Sequence, residues 1–262
     1  MNTELMDAVL GNLKLDYFEL LSPEPIYIPH IGSILSPTLK DIASISMNTY
    51  RYYLAVLLAE PKDYSMLIGQ NIEKEALPDK EILHIFDVIC GNEEAAIPLL
   101  AALNFFMKEE VSYSAQHKCL LVQEEEKIIG IITKELYSQV CNLIFQRNCI
   151  RTTIEEDPSK VKSKKALEII EKLKIGRAKK SKKNQSDKNM ELGNIISAVA
   201  SKSPSLNILN IWDLTVYQLW DCFTRLNNNN VYDIQSMSVA AWGNKDNHFD
   251  AAGWFKRIYE EQ

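Results

Sequence analysis

The hydrophobic and polar positions between residues 216 and 226 repeat with the period of an α-helix. Apolar side chains fall on one face of that helix, and polar side chains fall on the other. Thr215 and Gln218 have the spacing of a capping box, in which each side chain accepts the other residue's backbone N–H. We therefore predict a helix that begins after Thr215, with Trp220 on its packed face. We expect it to end in the asparagine run 227–230, because asparagine side chains compete for backbone hydrogen bonds.

The same period predicts helices along most of the chain. Pro37 and Thr38 lead into a helix that we expect to continue to about residue 60. Asp233 and Asp250 are expected to cap the last two helices, and Gly243 stands where a helix would stop. The other predicted helices cover approximately residues 1–22, 61–71, 79–91, 93–107, 134–149 and 191–203.

Two segments have the pattern of extended structure. Four prolines between residues 23 and 37 exclude a helix, so we predict an extended arm from Ile26 to Leu35, paired at one edge. The β-rich runs Cys119–Gln123 and Lys127–Thr133, joined by an acidic turn, predict a β-hairpin. The predicted fold class is therefore mainly α, or α+β with one small β-hairpin.

Charge divides the chain more sharply than any other property. Residues 160–188 hold 12 Lys and Arg against 3 Asp and Glu, whereas the rest holds 17 against 32. With 262 residues and 46% hydrophobic content, the chain can form one or two domains. We predict a helical body over residues 1–155, a basic linker or helix over 156–188, and a C-terminal helical unit over 189–262.

Readable catalytic and ligand motifs are missing from the sequence. It contains no phosphate-binding glycine loop, no dinucleotide fingerprint and no nucleophile elbow. The five cysteines form no Cys-x-x-Cys pair, and the four histidines lack the spacing of a zinc site. The loop around Asp246, His248 and Asp250 lacks the ordered ligands of a calcium loop. We expect no catalytic, cofactor or metal site, and hence a protein that is not an enzyme.

The net charge is −6, the pattern of a secretion signal is absent, and every apolar run falls short of the roughly 18 residues of a membrane span. These features lead us to expect a soluble cytoplasmic protein that does not interact with a membrane.

Three groups of residues are candidates for partner binding. They are the extended arm, the basic segment and the tryptophans, although each tryptophan alone is expected to belong to a core. The basic segment could neutralise phosphates, but it has no aromatic residues to stack on bases, so nucleic acid is the less favoured partner. The candidate residues are Ile26, Tyr27, Ile28, Lys164, Lys165, Arg177, Lys179, Lys180, Lys182, Lys183, Trp212 and Trp220.

Two blocks of sequence carry a resemblance to known proteins. They are "PIYIPHIGSILSPTLKDIASISMNTYRYYLAVL" near the start and, more specifically, "DLTVYQLWDCF" followed by "MSVAAWG". These blocks resemble proteins encoded in the tail-gene region of phages and prophages of Gram-positive bacteria, which include tail assembly chaperones.

The resemblance implies a function without catalysis or cofactor. A chaperone of this kind binds the tape-measure protein, or other tail proteins such as tube components, in the cytoplasm of the bacterial host before the tail tube polymerises. Self-association is left open. One alternative is a structural tail or neck component retained in the virion. Another is a nucleic-acid-binding protein that uses the basic segment.

Overall fold

A computed structural model describes residues 13–61, 63–64, 84–89, 93–150, 188–244 and 249–258. It confirms a mainly α fold that also contains two small antiparallel sheets. The helices are α1 (Tyr17–Leu21), α2 (Leu39–Ile45), α3 (Met47–Leu58), α4 (Ile85–Ile89), α5 (Glu93–Phe106), α6 (Lys134–Arg147), α7 (Leu192–Lys202) and α8 (Val216–Trp242). The strands are β1 (Ile26–Ile28), β2 (Gly32–Ile34), β3 (Glu110–Ser114), β4 (Cys119–Glu124) and β5 (Lys127–Ile132).

Contacts divide the chain into two compact units. The first comprises residues 1–150 with 212–220, and the second comprises 151–211 with 221–262. The predicted boundary at residues 155 and 156 and the basic linker as far as residue 187 lie outside the described residues. The three predicted domain ranges therefore stay predictions.

The predicted β-hairpin is confirmed as strands β4 and β5, but it belongs to a larger sheet. Strand β3 pairs antiparallel with β4, with Val111 opposite Val122, so the sheet has three strands in the order β3-β4-β5. The pattern did not predict β3, because a short strand with two serines lacks a strong β signal. Its Val111 is buried together with Leu120, Val122 and Ile132 on the core side of the sheet.

The extended arm folds back on itself as a hairpin, which corrects the prediction of one strand paired at one edge. Strands β1 and β2 pair antiparallel with Ile28 opposite Gly32. The turn residue His30 has a φ of 63°, and Gly32, the first residue of β2, has a φ of 118°, so both have positive φ. The positive φ at Gly32 explains why glycine stands there.

The hairpin then closes the edge of the larger sheet. The Ile131 N–H donates to His30 O at 2.9 Å, which occupies the open side of β5. A Cβ on Gly130 would lie 2.8 Å from both His30 O and Ile31 O, so only glycine permits this approach. On the opposite edge, the Asn104 side chain donates to Val111 O at 2.9 Å and accepts the Val111 N–H at 2.7 Å. Both edges are thus hydrogen-bonded, which protects them from pairing with another chain.

The helix predicted from Thr38 to about residue 60 is interrupted. Thr38 and Asp41 form a capping box for α2. Ser46, with a φ of 77°, ends α2, and its side chain accepts the Thr49 N–H to cap α3. The left-handed residue changes the direction of the chain, so the one predicted helix becomes two.

Long-range pairing holds residues 212–220 in the first unit. Thr38 and Thr215 form an antiparallel bridge, and the Leu39 N–H donates to Leu214 O at 2.8 Å. The predicted capping box is confirmed, because the Gln218 N–H donates to Thr215 Oγ1 at 3.2 Å and the Thr215 N–H donates to Gln218 Oε1 at 3.0 Å. Helix α8 therefore begins where its sequence predicts.

The predicted end of this helix is wrong. Helix α8 continues through the asparagine run 227–230 to Trp242. Asp233 lies inside the helix and therefore does not cap it. The Gly243 prediction is confirmed, since this residue follows the helix with a φ of 77°. The predicted final helix is reduced to a 3₁₀ turn, Gly253–Phe255, before which Asp250 Oδ1 accepts the Ala252 N–H at 3.0 Å.

Candidate interaction surfaces

Strand β1 separates the three candidate residues of the arm by the direction of their side chains. Ile28 is 4% exposed and belongs to the core, which corrects its assignment to a partner surface. Ile26 is half-buried, whereas Tyr27 is 65% exposed. Successive side chains of a strand point to opposite faces, so Ile28 packs inward and Tyr27 is left accessible.

The tryptophans do not behave as one group. Trp212 and Trp220 are half-buried. Trp242 and Trp254 are 79% and 54% exposed, so the expectation that each tryptophan belongs to a core is wrong for these two. The basic candidates, Lys164 to Lys183, lie outside the described residues.

Two exposed aromatic residues lie on elements that one buried arginine holds. Phe18 on α1 is 81% exposed, and Tyr27 on β1 is 65% exposed. We refer to Phe18 and Tyr27 together as the anchored aromatic residues. Asp16 and Glu19 form a capping box that fixes the start of α1. The sequence pattern counts Phe18 among the loosely spaced apolar positions of the predicted helix 1–22, which indicates a packed side chain, whereas the structure leaves it exposed.

Arg147, on the last turn of α6, is the residue that fastens these elements. Its side chain is 1% exposed. One terminal nitrogen donates to Ile34 O at 3.2 Å. The other donates to the carbonyl oxygens of Glu19, Ser22 and Glu24 at 3.3, 2.9 and 2.7 Å. Burial lowers the pKa of the guanidinium, which Glu19 partly offsets, yet arginine remains charged in proteins. A single cation thus joins α1, the segment before β1, and β2.

A second exposed surface lies on α8, after the asparagine run. Val231, Ile234, Met237 and Trp242 are 47%, 59%, 64% and 79% exposed. At about 100° per residue they share an arc of roughly 140° of the helix surface. We call these four residues the helix stripe. Val231, Ile234 and Met237 are three residues apart and Trp242 follows five residues later, a spacing that could have identified the stripe from the sequence if one continuous helix had been predicted through 227–230.

The opposite side of the same helix is covered by the chain that follows it. The Tyr232 hydroxyl donates to Ala251 O at 3.1 Å, and the Tyr232 ring lies 5.4 Å from the Phe249 ring. The Asn228 side chain donates to Gly253 O at 3.2 Å, and Arg225 donates to Lys256 O at 2.8 Å. The C-terminal segment 249–256 therefore covers one side of α8, while the stripe on the other side stays open.

Glu109 has a buried carboxylate, a group of the kind used in catalysis, but its partners are structural. The buried Glu109 carboxylate accepts the Ser33 N–H and the Ser33 hydroxyl, both at 2.7 Å. The Glu109–Ser33 pair holds β2 next to Lys108, whose N–H donates to Ser33 O at 3.0 Å. In the part of the chain that the structure describes, no group of three or more His, Cys, Asp or Glu could hold a metal ion.

His84 and Asp87 similarly serve the start of a helix. Asp87 accepts the His84 N–H at 2.8 Å and forms a 3.0 Å ion pair with Lys134. Burial lowers the pKa of His84, and the nearby Lys134 lowers it further.

The described helices include none that is long and apolar enough to cross a membrane.

Comparison with known proteins gives a family match in the C-terminal part of the chain. Residues 180–259 match the family model for the YomV second domain, a phage-associated family, and this points to a phage-encoded protein. The matched residues include α7, α8 and the helix stripe. No curated protein and no solved structure matches the chain.

Proposed function

We propose that this protein is a non-enzymatic phage tail assembly chaperone. It binds the tape-measure protein, or tail-tube components, in the cytoplasm of the bacterial host during tail morphogenesis. The observation that carries the proposal is the match of residues 180–259 to a phage-associated family. The residues that resemble tail-region proteins, "DLTVYQLWDCF" and "MSVAAWG", lie in the same part of the chain.

The anchored aromatic residues, Phe18 and Tyr27, are the contact residues in this proposal. Exposed aromatic side chains supply much of the binding energy in protein interfaces when a partner buries them. Arg147 fixes the backbone on which Phe18 and Tyr27 stand, through its bonds to Glu19 and Glu24. A surface held in place before binding loses less conformational entropy on association. Each of the two side chains therefore suits an apolar pocket on a partner.

The test uses the tagged full-length protein in cells that produce the tail proteins. The lysate is treated with nuclease, and both the eluate and purified particles are analysed by mass spectrometry. A Phe18→Ser, Tyr27→Ser double variant is compared with a Leu58→Ser, Ile97→Ser control, whose residues are also exposed, at 46% and 62%, in the first unit. All four changes are at the surface, so stability should shift by less than about 0.5 kcal/mol per site.

We expect the tape-measure or tube protein in the eluate of the wild type and of the control. In the double variant, the amount of that partner should fall at least about tenfold, which corresponds to about 1.4 kcal/mol of binding free energy. The protein itself should be missing from purified particles. Fixed stoichiometry in particles would instead favour a structural tail or neck component. Loss of every partner after nuclease treatment would favour nucleic-acid binding through the basic segment.

A further inference from the structure

His84 stands immediately before α4 and is hydrogen-bonded to that helix in both directions. Its backbone N–H donates to Asp87 Oδ2 at 2.8 Å, and its ring nitrogen Nδ1 accepts the Phe86 N–H at 3.2 Å. This reciprocal arrangement is that of a capping box, in which the first residue supplies an acceptor for the first turn of the helix. The usual capping residues, Ser, Thr, Asn and Asp, keep their charge state near neutral pH, whereas histidine does not.

The bond to Phe86 requires a neutral imidazole ring. A ring nitrogen accepts a hydrogen bond only while it carries no proton, so the proton of the neutral ring lies on Nε2. Protonation of Nδ1 sets one donor against another, and the Phe86 N–H loses its acceptor. Because Phe86 is 2% exposed, water cannot readily take the place of that acceptor. A backbone N–H that is left buried without a partner is costly, so protonation opposes the capped conformation.

The same residues join α4 to the start of α6. The Asp87 carboxylate accepts the His84 N–H and also forms the 3.0 Å ion pair with Lys134. The His84 ring lies edge-on to the Tyr137 ring at 5.8 Å, and the Phe86 ring lies 5.6 Å from the same tyrosine. A change at the His84 ring therefore acts at the junction of two helices.

The surroundings of the ring favour its neutral form. Burial lowers the pKa of His84 below its ordinary value of 6.5, and Lys134 lowers it further. The carboxylates of Asp87 and Glu135 raise it and only partly offset the other two effects. Burial raises the pKa of Tyr137 well above its ordinary value, so its hydroxyl keeps its proton throughout.

The two carboxylates keep their charge on mild acidification. A hydrogen bond from Thr133 lowers the pKa of Glu135 below its ordinary value of 4.5. Burial raises the pKa of Asp87, but the His84 N–H and Lys134 together bring it below its ordinary value of 3.8. Both groups therefore stay mostly ionised down to about pH 5. Mild acidification changes the charge of His84 while these two charges persist.

We propose that His84 is a pH-sensitive switch at the junction of α4 and α6. In its neutral form the ring caps α4 and holds the start of that helix against α6. When the ring takes up a proton, it releases the Phe86 N–H, and the start of α4 opens. This proposal does not rest on the function proposed above, because it involves neither Phe18 nor Tyr27.

The direction of the pH dependence follows from the preference of the closed junction for the neutral ring. The pKa of His84 is lower in the closed state, so the open state binds the proton at a higher pH. The contribution of His84 to the closed junction is complete above pH 6.5 and is lost as the pH falls towards the lowered pKa.

Hydrogen–deuterium exchange of the full-length protein at about pH 7.5 and about pH 5, on either side of the ordinary pKa of histidine, tests the inference. After correction for the intrinsic pH dependence of exchange, amide protection of residues 84–89 reports the opening of α4. We expect this protection to fall by up to about tenfold per pH unit below 6.5, since one proton is taken up on opening. An NMR titration of the His84 ring protons should have its midpoint below 6.5.

Two substitutions separate loss of the cap from loss of its titration. His84→Asn replaces Nδ1 by an amide oxygen that accepts the Phe86 N–H but takes up no proton, so protection should be the same at both pH values. His84→Ala lacks the acceptor and should leave residues 84–89 poorly protected at both. The matched control is His117→Asn, in the exposed turn between β3 and β4, which should keep the wild-type dependence on pH.

Four results would overturn the inference. The first is equal protection of residues 84–89 in the wild type at both pH values, whether high or absent. The second is a His84→Asn variant that loses protection in acid as the wild type does. The third is a His84 ring that titrates at or above 6.5. The fourth is an equal loss of protection in β4, because that would show unfolding of the whole unit instead of opening at α4.

Discussion

Arg147 shows how one side chain can decide the position of several elements. Near the end of a predicted helix, an arginine is usually a surface residue that interacts with the helix dipole and solvent. Here it is buried, and it satisfies carbonyl oxygens of Ile34, Glu19, Ser22 and Glu24. These acceptors lie more than a hundred residues away in sequence. Periodicity places Arg147 on a helix but contains no information about such distant partners.

We expect Arg147→Ala to lower the free energy of unfolding by about 3 kcal/mol, because buried carbonyls lose a charged donor and cannot all recover water. Urea unfolding followed by circular dichroism measures the change. Arg51→Ala, at an exposed position on α3, is the control and should change stability by less than about 0.5 kcal/mol. A loss of similar size in both variants would contradict the role assigned to Arg147.

Cys141 makes the free energy of unfolding depend on pH in the alkaline range. Burial raises the pKa of its thiol from 9.0 to about 12. The unfolded chain therefore loses this proton at a lower pH than the folded chain does. The contribution of Cys141 to stability is complete below pH 9 and is lost as pH rises towards about 12. Burial also raises the pKa values of Tyr50 and Tyr64, which act in the same direction.

We expect the free energy of unfolding of the wild type to fall as the pH rises above 9. In Cys141→Ala the fall should be more gradual, because the variant lacks this thiol. Urea unfolding at a series of pH values measures both slopes. Cys149→Ala is the matched control, since that cysteine is exposed, and it should keep the wild-type slope. Identical slopes in Cys141→Ala and the wild type would show that this thiol does not titrate as inferred.

At the scale of elements, α8 separates local from long-range information. Its first turn follows the capping box of Thr215 and Gln218, which involves residues three apart. Where it continues through and beyond Asn227–Asn230, the C-terminal segment is hydrogen-bonded to Asn228 and to Tyr232. Propensity is a weak preference that tertiary contacts readily override. Local sequence therefore set where the helix starts and, at Gly243, where it stops, but it did not predict the continuation through the asparagine run.

The asparagine run should still cost helix stability where its side chains are exposed. Replacing both Asn229 and Asn230 by Ala should raise the free energy of unfolding by about 1 kcal/mol, because asparagine is the poorer helix former. Urea unfolding followed by circular dichroism at 222 nm measures the gain. Asn228→Ala should bring no such gain, since it also loses the bond to Gly253 O. A destabilised double variant would mean that these asparagines hold the helix through contacts.

The hairpin of β1 and β2 and the three-stranded sheet show the same difference between local and long-range information. Strands β4 and β5 were predicted because their apolar runs are long and adjacent in sequence. The return of the arm as β1 and β2 requires positive φ at His30 in the turn and at Gly32 in β2, and Gly130 must allow the backbone to approach. Such steric conditions appear only when the segments meet.

At the scale of the whole molecule, the distribution of charge limits which partners can bind. The 12 basic residues of segment 160–188 belong to a chain whose net charge is −6. A basic segment can bind phosphates without sequence preference, but the acidic remainder repels the same polyanion.

We therefore expect only weak duplex DNA binding, with a Kd no tighter than about 1 µM at physiological salt, where non-specific binding commonly lies. Fluorescence anisotropy over a series of salt concentrations measures the affinity and its salt slope. A variant with Lys179, Lys180, Lys182 and Lys183 changed to Gln should have a shallower slope, whereas Lys108→Gln, outside the basic segment, should not. Tight, sequence-selective binding would instead favour the nucleic-acid alternative to the chaperone proposal.

The sequence by itself determined the features that depend on neighbours a few residues apart. These include the mainly helical class, the capping box at Thr215, the stop at Gly243, the hairpin of β4 and β5, and the charge contrast of segment 160–188. Only the tertiary structure decided that Ile28 is buried while Tyr27 is exposed, that Arg147 joins distant carbonyls, and that α8 continues to present the helix stripe. The physical reason is that exposure and long-range hydrogen bonding belong to pairs of distant segments, whereas periodicity and capping belong to one segment alone.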